Sequence, residues 1–179
     1  MDAFPQGEGE HHTMAITTTN EMFTHELSDM YDAEHRFLKG QEEMLAQASD
    51  PELKEMIQAH IQQTEQQIKN LDQVFSLLGQ KAKGEKCDAA AGLVSEAQKT
   101  MKEATVAAIR DCVIGMAATK VEHYEIVNYR GLVAGAEGMG QKEVVTLLRE
   151  NLGQEEQTAQ KLEKSAPQLL KKAKAAEGK

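Results

Sequence analysis

Four long stretches of this chain carry apolar residues at alternating steps of three and four, a spacing that forms one continuous face only on an α-helix. Alanine, glutamate, glutamine, leucine, lysine and methionine dominate the 179 residues, whereas aromatic residues make up 4% and tryptophan is absent. These residue types favour helices and form poor sheets. We therefore predict an all-α protein whose helices bury their apolar faces against one another.

Turn and capping residues divide the chain into helices. Thr18 and Glu21 have the spacing of a capping box, and the run Ser49-Asp50-Pro51-Glu52 suits the end of one helix and the start of the next. The predicted helices are A (18–48), B (51–78), a shorter helix (88–104), C (106–135) and D (141–166), which stops before Pro167. The architecture expected from these boundaries is a four-helix bundle of two antiparallel helical hairpins, with an additional short crossover helix.

The domain organisation follows from the same pattern. A chain of 179 residues can bury one sizeable core, which predicts a single domain. Residues 1–16 lack apolar periodicity and contain the adjacent His11 and His12, to which we assign no role; this segment is a predicted disordered N-terminal arm. Residues 17–166 form the predicted helical bundle domain, and residues 167–179 form a predicted Lys-rich C-terminal tail.

Charge and cysteine content exclude several classes of protein. The formal net charge of -9 disfavours binding to nucleic acid and to anionic membrane surfaces. No apolar run approaches the roughly 20 residues that span a bilayer, and residues 1–19 do not resemble a signal peptide. Cys87 and Cys112 lack the spacing of a zinc site and are predicted to be reduced thiols. We expect a soluble, cytoplasmic protein.

An ionisable side chain interrupts the apolar face of each long helix: Glu34 on A, His60 on B, Glu125 on C and Glu155 on D, with Glu122 one turn before Glu125. An uncompensated buried carboxylate costs several kcal/mol, so protons, close pairing or a cation must neutralise such a group. Carboxylates and histidine that project inward from four helices match in part the plan of di-iron and di-manganese carboxylate bundles. The usual plan has two Glu and two Glu-x-x-His elements.

The depth of these residues along their helices indicates one shared site. At about 1.5 Å of rise per residue, Glu34, Glu122 and Glu155 each lie roughly 20 Å from the turn that joins their hairpin. His60 lies nearer its turn, and Gln63 comes closer to the level of Glu34. The alternatives are that a Glu at such a position reaches water along its stem, and that His60 is a hydrogen-bonded core histidine.

Five short runs of residues resemble one bacterial family. They are Glu26–Glu34 (ELSDMYDAE), Ala59–Thr64 (AHIQQT), Lys86-Cys87, Val121–Ile126 (VEHYEI) and Glu155-Glu156. Together they resemble the YciE/YciF family of ferritin-like bacterial stress proteins over about residues 19–162, with VEHYEI as the most specific block. The resemblance implies a ferritin-like bundle, usually a homodimer, associated with stress responses and sometimes encoded beside a manganese catalase. It implies no established reaction.

The resemblance also implies a set of metal ligands: Glu34, His60, Gln63, Glu122, Glu125 and Glu155. The implied cofactor is iron or manganese, dinuclear if the site is complete. Many relatives have Glu where this chain has Gln63, and an amide oxygen does not bridge two cations as a carboxylate does. Thr158 stands where a Glu-x-x-His element would place its histidine, and His123 is turned about 100° away from Glu122. These departures leave open a dinuclear, a mononuclear or an absent site.

Two hypotheses of function follow. In the first, the protein is a metal-dependent redox or iron-handling protein, in which carboxylate oxygens and an imidazole hold iron or manganese and peroxide or oxygen is the reactant. This hypothesis leaves peroxidase-like and ferroxidase-like activity open. In the alternative, the protein is a non-catalytic dimeric stress protein with a vestigial or empty metal site. Its buried carboxylates would then be paired by Tyr31, His60 or protons.

Overall fold

Five α-helices and no strand make up the part of the chain that the structure, a computed structural model, describes, which is residues 15–177. The helices are α1 (Thr19–Gln47), α2 (Pro51–Leu77), α3 (Asp88–Glu103), α4 (Ala107–Gly138) and α5 (Lys142–Ala176). The predicted helices A to D correspond to α1, α2, α4 and α5, and the predicted short helix corresponds to α3. The prediction of an all-α protein is thus confirmed. None of these helices is both long and apolar enough to cross a membrane.

The starts of α1 and α2 lie where the capping residues predict them. The Thr18 hydroxyl accepts a hydrogen bond from the Glu21 backbone N–H (3.1 Å), and the Glu21 carboxylate accepts one from the Thr18 N–H (2.9 Å), which completes the capping box. Asp50 caps α2 by accepting from the backbone N–H groups of Glu52 and Leu53, with Pro51 in the first turn. These caps satisfy backbone donors that helix ends otherwise leave without partners.

The turns after α2 and α4 depend on glycine. Gly79 has a φ angle of 69° and Gly140 one of 70°, values in the left-handed region that residues with a Cβ atom rarely adopt. The turn between α1 and α2 is instead fixed from outside, because the Asp111 carboxylate on α4 accepts hydrogen bonds from the backbone N–H groups of Ser49 (2.7 Å) and Asp50 (3.1 Å). The first hairpin is therefore tied to α4 at this end.

The four long helices enclose a common interior. Helix α1 packs against α2 and α4, α5 packs against the same two helices, and α3 lies across α1 and α4. The buried apolar residues form two clusters, one around Leu27, Leu71 and Leu148 and the other around Leu53 and Ile114. Because each long helix passes from one cluster to the other, its middle turns form a layer between them. Most of the buried polar residues lie in that layer.

The three-and-four spacing predicts Leu38 and Leu45 in the core on helix A, Asn128 on helix C and Leu152 on helix D, and each of these predictions is wrong by one residue. On α1 the buried residues are Phe37 and Met44, whereas the predicted Leu38 and Leu45 are only partly buried. Similarly, Tyr129 replaces the predicted Asn128 on α4, and Asn151 replaces Leu152 on α5. A regular three-and-four spacing drifts from the true period of a straight helix, so the predicted face rotates away from the interior over several turns.

The prediction that the last helix stops before Pro167 is also wrong, because α5 continues through this proline to Ala176. Pro167 cannot donate to the carbonyl of Glu163, but both residues are exposed and water can satisfy that carbonyl. Burial of Leu169 and Ala173 stabilises the extension. The predicted Lys-rich tail is therefore helical as far as Ala176. The predicted N-terminal arm lies outside the described residues except at positions 15 and 16.

Candidate metal centre

One buried cluster of acidic side chains and a histidine lies in the polar layer of the bundle. Helix α1 contributes Glu34, α2 contributes His60, α4 contributes Glu122 and Glu125, and α5 contributes Glu155. Their exposed fractions are 0%, 4%, 1%, 0% and 0%, in the same order. Donor atoms of the last four residues all lie within 4.8 Å of one another. The structure thus brings together five of the six residues that the sequence singles out.

The donor atoms of this cluster converge without satisfying one another. His60 Nε2 lies 3.0 Å from Glu122 Oε1 and 3.8 Å from Glu155 Oε2, yet it forms no well-aligned hydrogen bond. Five carboxylate oxygens likewise have no hydrogen-bond partner among the described residues: Glu34 Oε2, Glu122 Oε2, both oxygens of Glu125 and Glu155 Oε2. Buried polar atoms are seldom left without partners in folded proteins, so this arrangement requires a ligand or protons.

Burial strongly disfavours the charged forms of these carboxylates. Burial, followed by the charge of Glu155, raises the pKa of Glu34 to about 8. Burial raises the pKa of Glu122 to about 7. The pKa of Glu125 rises well above its ordinary value because of burial and the charges of the other three carboxylates, and the pKa of Glu155 rises because of burial and Glu122. Near neutral pH the metal-free cluster therefore holds protons.

A second ring of polar residues holds the carboxylates in place. The Tyr129 hydroxyl donates to Glu34 Oε1, and Gln67 Nε2 donates to Glu155 Oε1. Asn151 donates to the Tyr129 hydroxyl (2.9 Å) and to the backbone carbonyl of Gln67 (3.3 Å), so it connects the two supports. These partners leave one oxygen of each supported carboxylate free to face the centre of the cluster.

The sequence reasoning missed Gln67, Tyr129 and Asn151. Tyr129 lies four residues after Glu125 and Asn151 lies four residues before Glu155, which places each one turn from a predicted ligand on the same helix face. This four-residue spacing from a predicted ligand is the sequence feature that could have indicated Tyr129 and Asn151. An amide or phenol at such a position is common on helix surfaces, so the spacing alone does not reveal a buried partner.

Three residues that the sequence analysis discusses lie outside the cluster: Gln63, Thr158 and His123. Gln63 is half-buried behind His60: its Oε1 atom lies 3.5 Å from His60 Nδ1 and accepts a hydrogen bond from Thr158 (3.2 Å). The exposed His123 side chain pairs with Glu163 (2.9 Å). Gln63 therefore orients the imidazole on the side away from the carboxylates, and His123 belongs to the surface.

Other residues considered from the sequence have roles outside the cluster. The Tyr31 hydroxyl donates to Asp72 (2.9 Å), so it does not pair with the buried carboxylates as the alternative hypothesis supposed. Both cysteines are free, as predicted. The Cys87 thiol accepts a hydrogen bond from the Ala90 N–H (3.3 Å) and thereby caps α3.

Comparison with known proteins identifies the family. Residues 18–175 match the family described as a domain of unknown function, DUF892. The chain belongs to this family. It is 36% identical over 150 residues to Protein YciF of Escherichia coli (strain K12), covering 83% of this chain and 90% of YciF. The predicted resemblance to the YciE/YciF family is thereby confirmed.

Solved structures support the same relationship. The crystal structure of the E. coli stress protein YciF matches with a TM-score of 0.83 and 34% identity, covering 88% of this chain and 99% of that chain. YcfI from Rhodopseudomonas palustris, described provisionally as a structural protein, matches with a TM-score of 0.82 and 38% identity, covering 84% and 96%. A protein from Xanthomonas campestris at 22% identity and a TM-score of 0.72 shares the fold.

Proposed function

We propose that this protein is a ferritin-like carboxylate protein that binds two divalent ions of iron or manganese between its four long helices. The single observation that carries the proposal is the convergence of five unpartnered carboxylate oxygens and the unpartnered His60 Nε2 atom in one buried site. Buried polar atoms that lack protein partners and face one another are the arrangement that a bound cation satisfies.

The balance of charge supports two ions rather than one. Glu34, Glu122, Glu125 and Glu155 carry four negative charges when ionised, and two divalent cations supply four positive charges. One ion would leave two negative charges in an interior where burial already raises the pKa of each carboxyl group. Binding of two ions would therefore displace the protons without leaving a net charge.

The types of donor atom support iron or manganese. Carboxylate oxygens are hard ligands that suit manganese and ferrous iron, and a single imidazole is compatible with both. Such ions, when bound, supply one-electron chemistry with oxygen or peroxide. The contribution of the chain is to hold the carboxylates: Tyr129 and Gln67 each fix one oxygen of a ligand by hydrogen bonding and direct the other inward.

The packing of the helices and the similarity to known relatives support two further parts of the proposed function, the ferritin-like assignment and the stress-related role. The closed arrangement of α1, α2, α4 and α5 around a polar layer supports the ferritin-like assignment. E. coli YciF is described as a stress protein, and we extend that role to this chain as a stress-related protein that handles metal ions, peroxide or oxygen. A homodimer and a cytoplasmic location remain predictions from the sequence.

A second candidate function is that of a structural stress protein with an empty site. Two observations favour it: YcfI is described provisionally as a structural protein, and the Tyr129–Asn151–Gln67 network already gives hydrogen bonds to two of the four carboxylates. In this case protons rather than metal ions neutralise the cluster. The two candidates differ in metal content, which can be measured directly.

The test is elemental analysis of protein purified without chelators, compared between two neighbouring substitutions. Glu155→Gln removes a ligand from the cluster, whereas Glu156→Gln changes the next residue, whose side chain pairs with Arg130 at the surface (2.7 Å). We expect close to two ions of iron or manganese per chain in the wild type and in Glu156→Gln, and a clear loss in Glu155→Gln. Added metal should raise the melting temperature only where the site is intact. Wild-type protein that neither contains nor responds to either metal would support the structural candidate.

A further inference from the structure

A narrow apolar gap leads from the surface of the bundle to the candidate metal centre, on the side covered by α3. Its inner end is formed by His60 and Glu122, and its outer end by Glu43 and Gln98. Between the two ends its walls include Phe37, Met44, Val94, Ala97, Met101 and Val121. A gap lined both by buried residues of the cluster and by residues at the surface can serve as a passage between solvent and one edge of the cluster.

The passage exists because α3 covers α1 and α4 without filling the space between them. Gly40 on α1 faces Val94 on α3, and a Cβ atom at position 40 would lie 3.5 Å from Val94 Cγ2, which is an ordinary contact distance. The missing side chain therefore leaves space that a methyl group could occupy. At the outer end, Gln98 on α3 donates a hydrogen bond to Glu43 on α1 (2.7 Å), which joins the two helices over the opening.

The size of the passage limits what can enter. Its free volume is about 20 Å³, and about 10–15 Å³ on this measure is needed to hold one water molecule. A molecule of two heavy atoms fits only closely. Larger organic reductants or substrates would require α3 to separate from α1 and α4, which would expose buried residues such as Ala97 and Met101.

The chemistry of the walls further limits which molecules can enter the passage. Apart from its two ends, the passage offers one polar atom without a partner, the buried Oε1 of Gln41, whose amide nitrogen donates to Thr64 (3.0 Å). An ion would lose its hydration against apolar side chains, and hydrogen peroxide would lose most of its hydrogen bonds. A small apolar diatomic molecule has no such hydration or hydrogen bonds to lose when it enters the passage.

We propose that this passage between α1, α3 and α4 admits dioxygen to the His60–Glu122 edge of the centre, while it excludes ions and larger molecules. The proposal rests on the metal-binding function above for its purpose, since dioxygen is a reactant for iron or manganese. The passage itself is a property of the apolar walls and is present with or without metal. This difference allows the two proposals to be tested separately.

The first experiment uses metal-free, methyl-labelled protein and dissolved dioxygen under pressure. Dioxygen is paramagnetic, so methyl groups beside it relax faster in nuclear magnetic resonance. We expect an enhancement at Val94, Met101 and Val121 several times larger than at Leu71 and Leu148, which are fully buried outside the passage. Equal enhancement in the two groups of methyl groups would overturn the proposal.

Three substitutions make the experiment specific. Ala97→Leu places added bulk inside the passage, whereas Ala59→Leu places the same bulk in the polar cleft between α2 and α5, which is also lined by Gln63 and Thr158. We expect Ala97→Leu to abolish the enhancement at Val121 and Ala59→Leu to leave it unchanged. Gly40→Ala, which meets only ordinary contacts, should reduce the enhancement without loss of the fold and decides the matter if Ala97→Leu does not fold. An enhancement at Val121 that persists in both passage variants would contradict the proposal.

A second experiment uses the same variants loaded with ferrous iron, with nitric oxide as a diatomic probe. Nitric oxide should reach the iron several-fold more slowly in Ala97→Leu than in Ala59→Leu, at equal iron content. Dioxygen enhancement without any metal uptake would count against the proposed function and leave the passage supported. Full metal content without enhanced relaxation at the passage methyl groups would contradict the proposed passage and leave the proposed metal-binding function supported.

Discussion

Replacing Glu34 by glutamine should stabilise the metal-free protein near neutral pH, although it removes a ligand from the candidate centre. The substitution preserves the shape of the side chain and an oxygen that can still accept the hydrogen bond from Tyr129. It removes a carboxylic acid whose charged form is strongly disfavoured by full burial. The expected gain is therefore electrostatic and depends on pH.

The magnitude follows from the pKa of Glu34. Burial and then Glu155 raise this pKa to about 8 in the folded protein, from an ordinary value of 4.5. Between these two values the folded state holds more protons than the unfolded state, so the free energy of unfolding falls as the pH rises. The resulting cost is on the order of 3 kcal/mol at pH 7 and only about 1 kcal/mol at pH 5. Because Glu155 causes part of the shift, a second substitution there would not add independently.

The assay is urea denaturation of wild type and Glu34→Gln with a chelator present, at pH 5 and pH 7. We expect the variant to be more stable by a few kcal/mol at pH 7 and by much less at pH 5. Excess manganese or ferrous iron should reverse the order, because only the wild type keeps the full set of ligands. The matched control is Glu26→Gln, an exposed residue on the same helix, which should change little. A variant that is less stable than wild type at pH 7 without metal would refute the reasoning.

Three further predictions test other parts of the centre and the fold. His60→Ala should lower metal content strongly while the far-ultraviolet circular dichroism of the metal-free protein stays helical; equal loss of helix and metal would instead indicate a core histidine. Tyr129→Phe removes the hydrogen bond to the buried Glu34 Oε1 and one of the two hydrogen bonds that Asn151 Nδ2 donates, and should lower the free energy of unfolding by about 1–3 kcal/mol in urea denaturation. Gly135→Ala should destabilise the protein because its Cβ atom would lie 2.8 Å from Phe23 Cδ2, whereas Gly138→Ala meets nothing within 4 Å and serves as the control.

The buried cluster could be predicted from the sequence because the positions of its residues conflict with their chemistry. Glu34, Glu125 and Glu155 each interrupt an otherwise apolar helix face, and such a conflict is visible without coordinates. Glu122 could be predicted from its place one turn before Glu125 on the same helix face, and the resemblance to the family implies the same residue. The same resemblance also placed Gln63 among the ligands, whereas in the structure this residue lies behind His60.

The supporting residues could not be predicted in this way because their chemistry does not conflict with a surface position. Gln67 and Asn151 are amides on long helices, where exposed amides are ordinary, and only the packing of α2 against α5 makes them buried partners. The extension of α5 beyond Pro167 was missed for a related reason. Proline costs a helix interior about 3 kcal/mol, and the burial of Leu169 and Ala173 that offsets this cost is a property of the folded chain.

The cost of burying these carboxylates without metal and the proposed binding of metal are two aspects of one arrangement. Four carboxylates at the middle of the bundle are protonated or destabilising without a cation, so the stability of the metal-free fold depends mainly on the two apolar clusters that flank them. A ligand at one hundred times its dissociation constant adds about 2.7 kcal/mol of stability, which is a substantial part of the 5–15 kcal/mol typical of folded proteins. Under the proposed function, the protein becomes more stable when iron or manganese is abundant, and the proposed passage admits dioxygen from the α3 side without the movement of a charged group.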